Sequence, residues 1–297
     1  MKKVIAIVGP TAIGKTKISI EIAKHYNFDI ISADSVAVYK KLNIGSAKPT
    51  VEEMDGVKHY LIDELEPTEQ YNVEEFQRIG REIIDSQDKP LIVAGGTGLY
   101  VQSLLYDYHF DGENRDLSFE HKYNHLSNEE LYNLLISKDP LVENKIHPNN
   151  RKRILRALEI FETTNKSITL ASGSHKPYYD FYIVYLNVSN RDVLYDRINQ
   201  RVDKMINDGL VEEVASLVSQ NIFPNAIGYK ELYPYFNHEV SLESCIDEIK
   251  KNSRHLAKRQ MTWFKNQMDT HFYEVNLSNI DETISLIEHD LDEFLRS

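Results

Sequence analysis

The sequence predicts an α/β protein: a parallel sheet with helices on both faces, plus a helical insertion domain. Three observations predict it. Short apolar runs rich in β-branched residues alternate with segments of helical spacing. The first of these runs ends in a glycine-rich turn that opens a helix. The alternation stops between residues 109 and 180, where the chain is polar, helix-prone and without clear strands. A chain of 297 residues is long for one core and suits a large domain with a smaller one. The expected division is a core of residues 1–108 and 181–297 around an insertion of residues 109–180.

Taken in order, residues 3–8 form an apolar run bounded by Gly9-Pro10, the pattern of a buried parallel strand. Residues 15–26 have helical spacing, with Ile18 and Ile22 on one face. Residues 29–33 read as a second strand and residues 59–62 as a weaker third. Asn72 followed by Glu75 is a capping-box pattern opening a helix to about residue 85. Residues 90–94 form a strand ending in Gly95-Gly96, and residues 181–188 form another. Within the insertion, residues 126–130 look like a helix start and residues 154–161 like a helix. Beyond Ser189 the chain is mostly helical, and Ser241 caps a long helix reaching about Met268.

Composition narrows the class. Hydrophobic residues make up 41%, enough to bury a core. The N-terminal apolar run is too short for a signal-peptide core, and nothing approaches a membrane span. The lone Cys245 reads as a half-buried helix thiol, with no metal-ligand spacing around it. A cytoplasmic monomer without membrane association is expected. The net charge of −12, taken alone, argues against a nucleic-acid partner. Two stretches break that trend. Residues 145–156 carry Lys145, Arg151, Lys152, Arg153 and Arg156, and residues 250–265 carry Lys250, Lys251, Arg254, Lys258, Arg259 and Lys265, both without an acid. Such stripes are solvated helix faces or phosphate-binding surfaces.

Gly9-Pro10-Thr11-Ala12-Ile13-Gly14-Lys15-Thr16 satisfies G-x-x-x-x-G-K-[ST] between a predicted strand and a predicted helix. Gly9 and Gly14 let the backbone wrap so that its N–H groups point inward. The helix N-terminus adds positive potential. Lys15 supplies a point charge, and the Thr16 hydroxyl can ligate Mg²⁺. The core is therefore P-loop NTPase-like. The loop does not name the chemistry, because a diphosphate ester sits there as well as ATP does.

Asp34 ends the second predicted strand, on the side where open α/β sheets bind ligands. It can ligate Mg²⁺ through water, act as a base, or cap a turn. Its neighbours add a longer pattern. Asp34-Ser35-Val36-Ala37-Val38-Tyr39 leads into Asn43-Ile44-Gly45-Ser46-Ala47-Lys48-Pro49. Then come His59-Tyr60-Leu61-Ile62-Asp63, Gly95-Gly96-Thr97-Gly98-Leu99-Tyr100 and Lys145-Ile146-His147-Pro148-Asn149-Asn150. Last are Gln200-Arg201-Val202-Asp203, Ile227-Gly228-Tyr229-Lys230-Glu231 and Leu256-Ala257-Lys258-Arg259-Gln260-Met261-Thr262-Trp263. This ordered series, spanning nearly the whole chain, resembles the bacterial tRNA dimethylallyltransferase family.

The resemblance implies transfer of a dimethylallyl group from dimethylallyl diphosphate to N6 of an adenosine beside the anticodon of tRNA, with release of diphosphate. It implies that residues 9–16 and Arg201 hold the diphosphate, that Asp34 is the general base, and that Lys15 and Thr97 serve the reacting region. Asp34, Ser35, Val36, Ala37, Thr97, Lys145, Ile146, His147, Pro148, Asn149, Gly228 and Tyr229 are implied to lie near an anticodon stem-loop. Against the family pattern, the loops around residues 111–117 and 219–225 are short. Tyr229 and Trp263 either stack on bases or fill the core, the latter suiting Trp263 better. His147 is equally well a plain loop histidine. Three rivals share the phosphate loop: prenyl transfer to free AMP, ADP or ATP, a small-molecule kinase, and an NTP-driven switch.

Overall fold

The protein, seen here as a computed structural model, is described over residues 1–110, 118–169 and 176–297. The short loop expected at residues 111–117 lies outside the described residues. The elements in chain order are β1 (Lys3–Val8), α1 (Lys15–Tyr26), β2 (Ile30–Ser32), α2 (Val51–Met54), β3 (His59–Tyr60), α3 (Val73–Ser86), β4 (Leu91–Gly95) and α4 (Gly98–Leu105). They continue with α5 (Phe119–Lys122), α6 (Asn128–Lys138), α7 (Arg151–Thr164), β5 (Asp180–Asn187), α8 (Arg191–Asn207) and α9 (Leu210–Ser219). The chain closes with α10 (Tyr233–Phe236), α11 (Leu242–Gln267), β6 (His271–Glu274) and α12 (Ile280–Arg296).

The six strands form one sheet in the order β3-β2-β4-β1-β5-β6, and every pairing is parallel. Val4 through Val8 are fully buried. That needs cover on both faces of the sheet, which is why this strand reads as an unbroken apolar run. Ile5, Ile7, Ile30, Ile92, Val184 and Leu186 share one face and pack with Ile18 and Ile22 of α1, Leu194 and Ile198 of α8, and Ile284, Ile287 and Leu291 of α12. Chain order breaks between β4 and β5, which flank β1, so the carboxyl end of β1 faces a crevice suited to ligands.

Local chemistry explains most boundaries. Asn72 Oδ1 accepts from the Glu74 and Glu75 amides and starts α3, so its half of the predicted capping box forms. Ser241 Oγ accepts from the Ser244 amide and starts α11, as the sequence predicts. Asn27 takes the left-handed conformation that ends α1. The edge strand β6 was not legible beforehand. Only Tyr273 of its four residues is buried, so it carries no alternation to recognise. Its anchor is a phenol, with the Tyr273 hydroxyl meeting Asp290 of α12 and the Tyr182 hydroxyl.

Two compact units are present, one of residues 1–105 and 178–297, the other of residues 106–177. In the second, Leu131, Leu135, Val142, Ile146, Ile154 and Leu158 form their own core. Ser127 and Glu130 close a capping box at the start of α6. The Arg151 guanidinium donates to the carbonyls of Leu126 and Tyr123, joining α7 to the turn before α6.

In the first unit a second apolar cluster lies among α8, α9 and α11, with Leu42, Val202, Leu210, Val214, Tyr229, Cys245 and Ile249 buried. Cys245 is thus a helix thiol as expected, but buried rather than half-buried, because it packs inside this cluster. Glu213 of α9 organises this region. Its carboxylate accepts from the amides of Asn43, Ile44 and Gly45 and from the Tyr229 hydroxyl, at 2.7–3.2 Å. Gly45 is needed there, because a Cβ would lie 2.5 Å from the Tyr229 ring. Replacing Glu213 by Ala strands those donors. It is expected to cost about 3 kcal/mol of stability in urea denaturation, and a loss below about 0.5 kcal/mol would mean that water replaces the carboxylate without penalty.

Candidate active site at the carboxyl ends of the strands

The glycine-rich loop joins β1 to α1 and wraps as its motif demands. Gly9, Ala12 and Gly14 have φ of 155°, 64° and 106°. A Cβ at Gly9 would lie 2.4 Å from the Leu186 carbonyl oxygen, so only glycine lets β1 leave the sheet beside β5. The loop then enters α1, whose first turn exposes Thr16. Lys15 folds back, its ammonium donating to the carbonyls of Gly9 at 3.0 Å and Pro10 at 2.8 Å.

Cations gather around the loop. Arg201 of α8 donates to the Thr11 hydroxyl at 2.9 Å. Arg197, one turn earlier, donates from Nε to the Ala12 carbonyl at 3.0 Å. Burial pulls the Lys15 ammonium down to about 7, and the nearby Arg201 guanidinium pulls the same way, against the Asp34 carboxylate. Burial also lowers Arg201, again opposed by Asp34. Two cations that disfavour each other, facing one carboxylate, make a site that gains from a polyanion.

Asp34 follows β2. Its Oδ1 accepts from the Val36 amide at 2.8 Å and the Ala37 amide at 3.2 Å. This Asx turn fixes the carboxylate and leaves Ser35 exposed at the tip. Thr97 follows β4, and its amide donates to the carbonyl of Ala33, the residue before Asp34, at 3.4 Å. The two segments approach because a Cβ at Gly95 would fall 2.3 Å from the Ala33 carbonyl oxygen. The structure thus brings together the loop, Lys15, Arg201, Asp34 and Thr97. Beside Thr11 and Arg201 lies a cavity of about 70 Å³ walled by Ile198, Val202, Met205, Ile249, Gly45 and Gly228.

The residues implied to lie near RNA divide. Lys145, His147, Pro148 and Asn149 are exposed in the turn before α7, where His147 Nδ1 accepts from the Asn149 amide. Ile146 is buried in the core of its unit, so it anchors that turn and presents no side chain to a partner. Tyr229 is fully buried, its ring against Gly45 and its hydroxyl on Glu213. It fills the core, and its ring is closed to a base. Gly228 is buried as well, with φ 96°. Trp263 is half-buried, its indole on Gly98, where a Cβ would lie 2.1 Å from the ring.

Three side chains that shape the site were not singled out from sequence. Gln260 Oε1 accepts from the Thr11 amide at 2.9 Å. Arg197 precedes Arg201 by four residues, so helical spacing places both on one face of α8, a signal present in the sequence. Glu213 gave no local signal, since its partners are 16 to 170 residues away.

The chain is similar in sequence and shape to known proteins. A tRNA dimethylallyltransferase of Oceanobacillus iheyensis is 44% identical over 97% of this chain and 96% of its own. One from Macrococcus caseolyticus is 47% identical over 95% and 94%. Among solved structures, a tRNA delta(2)-isopentenylpyrophosphate transferase from Staphylococcus epidermidis superposes with a TM-score of 0.74 at 41% identity, covering 99% of this chain and 100% of that one. A eukaryotic dimethylallyltransferase acting on tRNA gives a TM-score of 0.82 at 29% identity, over 97% and 78%. With the IPP transferase family model matching residues 37–267, this chain belongs to the IPP transferase family.

Proposed function

We propose that this protein transfers a dimethylallyl group from dimethylallyl diphosphate to N6 of the adenosine beside the anticodon of tRNA, releasing diphosphate. The observation that carries the proposal is the placement of Lys15 and Arg201 on the phosphate loop opposite Asp34, in a chain of this family. The loop amides, Lys15 and Arg201 hold the diphosphate. The N6 lone pair attacks the allylic carbon as its C–O bond breaks, and the bonding pair leaves with the diphosphate oxygen. Lys15 and Arg201 stabilise the charge that develops there.

The N6 amine is a poor nucleophile because its lone pair is delocalised into the ring. As N6 bonds to carbon its protons become acidic, so a fixed carboxylate suffices to accept one late. Asp34 has that character, with Oδ1 held by two amides, so that Oδ2 would accept the proton. Thr97 orients the reacting groups from the neighbouring turn. The base must leave its stack to enter, which costs less in an anticodon loop than in a duplex.

Among the described residues no three His, Cys, Asp or Glu side chains gather as a metal site. Mg²⁺ suits what is present, since it keeps several waters and binds through substrate phosphates and few protein groups. The Thr16 hydroxyl would hold it, where it would neutralise part of the diphosphate charge.

Exposed Ser35, with the Val36 and Ala37 backbone, would face the entering adenosine. Lys145, His147 and Asn149, with exposed Lys152 and Arg153, would take RNA phosphates in the insertion, and Pro148 would shape the turn beside them. A cytoplasmic monomer follows as part of this reading. No helix among the described residues is long and apolar enough to cross a membrane.

The direct test incubates the protein with an unmodified anticodon stem-loop, Mg²⁺ and labelled dimethylallyl diphosphate, with AMP as a parallel acceptor. Label is expected in the RNA and not in AMP, and Asp34→Asn is expected to keep RNA affinity within a few-fold while turnover falls by about 10²-fold or more. Label in AMP alone, or consumption of ATP instead, would reject the proposal.

The Lys15 ammonium, held at about 7, gives a second prediction. A bound anion raises that value, so binding takes up a proton above pH 7. Affinity for inorganic diphosphate is expected to weaken as pH rises from 7 to 9, by up to about tenfold per unit beyond the anion's own titration. Lys15→Arg removes that component because guanidinium stays charged. Calorimetry on both proteins measures it, and parallel pH curves would exclude Lys15 as the titrating group.

A further inference from the structure

Ala12 holds φ 64°, a left-handed conformation that a side chain disfavours, in the middle of the phosphate loop. Lys15 and Arg201 act elsewhere on the loop. Lys15 takes the Gly9 and Pro10 carbonyls, and Arg201 takes the Thr11 hydroxyl. The peptide group that follows the strained residue, and the Pro10–Thr11 peptide one residue before it, are held from outside. Arg197 Nε of α8 donates to the Ala12 carbonyl at 3.0 Å, and Gln260 Oε1 of α11 accepts from the Thr11 amide at 2.9 Å. The two helices pack on each other, so both partners stand on one support.

Gln260 has a second contact. The Thr11 amide requires an acceptor, which turns Oε1 to the loop and Nε2 away from it. There a Cβ on Gly96 would lie 2.2 Å from Nε2. One side chain therefore ties the phosphate loop to the turn that carries Thr97.

We propose that Arg197 and Gln260 are positioning residues that brace the phosphate loop in its anion-binding shape before the ligand arrives. Neither needs to touch the substrate. They keep Ala12 left-handed and the loop amides convergent, so that binding does not have to supply the ordering. The inference rests on the reading that this loop takes the diphosphate.

The test uses the full chain and the variants Arg197→Met, Gln260→Leu and Gln260→Glu, the first two also combined with Ala12→Gly. Amide hydrogen exchange over residues 9–16 and affinity for inorganic diphosphate are both measured. Arg197→Met and Gln260→Leu are expected to speed exchange in the loop and to weaken diphosphate about tenfold. Glycine adopts φ 64° without strain, so Ala12→Gly is expected to recover at least half of that loss on a logarithmic scale. Gln260→Glu keeps an acceptor for Thr11 and is expected to keep its protection.

Unchanged exchange in Arg197→Met and Gln260→Leu would overturn the brace. So would an affinity loss that Ala12→Gly leaves in place, which would make Arg197 a direct anion ligand. Arg197→Lys, which keeps the charge without the planar Nε donor, stands in if Arg197→Met does not fold, and is expected to show the same faster exchange. A wild-type protein that failed to bind diphosphate would count against the proposed function, and the exchange comparison would still decide on the brace.

Discussion

Backbone approach at the ends of two strands governs this molecule. Gly9 lies against the Leu186 carbonyl and Gly95 against the Ala33 carbonyl, each so close that a Cβ would fall within 2.4 Å of an oxygen. The first contact lets the phosphate loop leave the sheet beside β5. The second draws the turn after β4 onto the end of β2, and so sets Thr97 beside Asp34. Widening either gap would separate groups that act together under the proposed reaction. The chemistry of the site follows from where side chains are missing.

The charges then have a defined task. Lys15 and Arg201 are both lowered by burial, and each is supported by the same carboxylate. The loop's own carbonyls accept from Lys15. Those bonds compensate an ammonium far less than a diphosphate does, because a carbonyl carries no net charge. Under the proposed reaction the arrangement favours the state in which charge has moved onto the leaving group, which is where a transferase needs its binding energy. Asp34 serves both ends, since it supports the cations and also faces the amine under the proposed reaction.

Features whose physics is local were legible in the sequence. The loop motif, the strand leading into it, the Ser241 cap and the long helix behind it each depend on residues within a few positions of one another. Arg201 was reached only through the family series, and Gln260 stood inside that series without its role showing. The contacts of Arg197, Gln260 and Glu213 join residues up to 249 positions apart, and no periodicity encodes them. Tyr229 shows the opposite difficulty. Its motif pointed to RNA, yet the ring is fully buried, because a phenol with a carboxylate partner and a glycine beneath it fits the core as well as it fits a base. The edge strand β6 was hidden by its exposure.

The acidic composition is compatible with an RNA substrate once the cations are sorted by what they touch. In residues 145–156, Arg151 serves backbone carbonyls and Arg156 pairs with Glu159, while Lys145, Lys152 and Arg153 are exposed. On α11, Lys250 pairs with Asp203, Lys251 with Glu248, and Arg254 donates to Asn199, while Lys258, Arg259 and Lys265 are exposed. About half of each basic run is therefore engaged within the protein, and the rest is exposed. A net charge of −12 repels nucleic acid from the remaining surface. Non-specific RNA binding is almost wholly electrostatic, so under the proposed function the acidity weakens it away from the exposed cations.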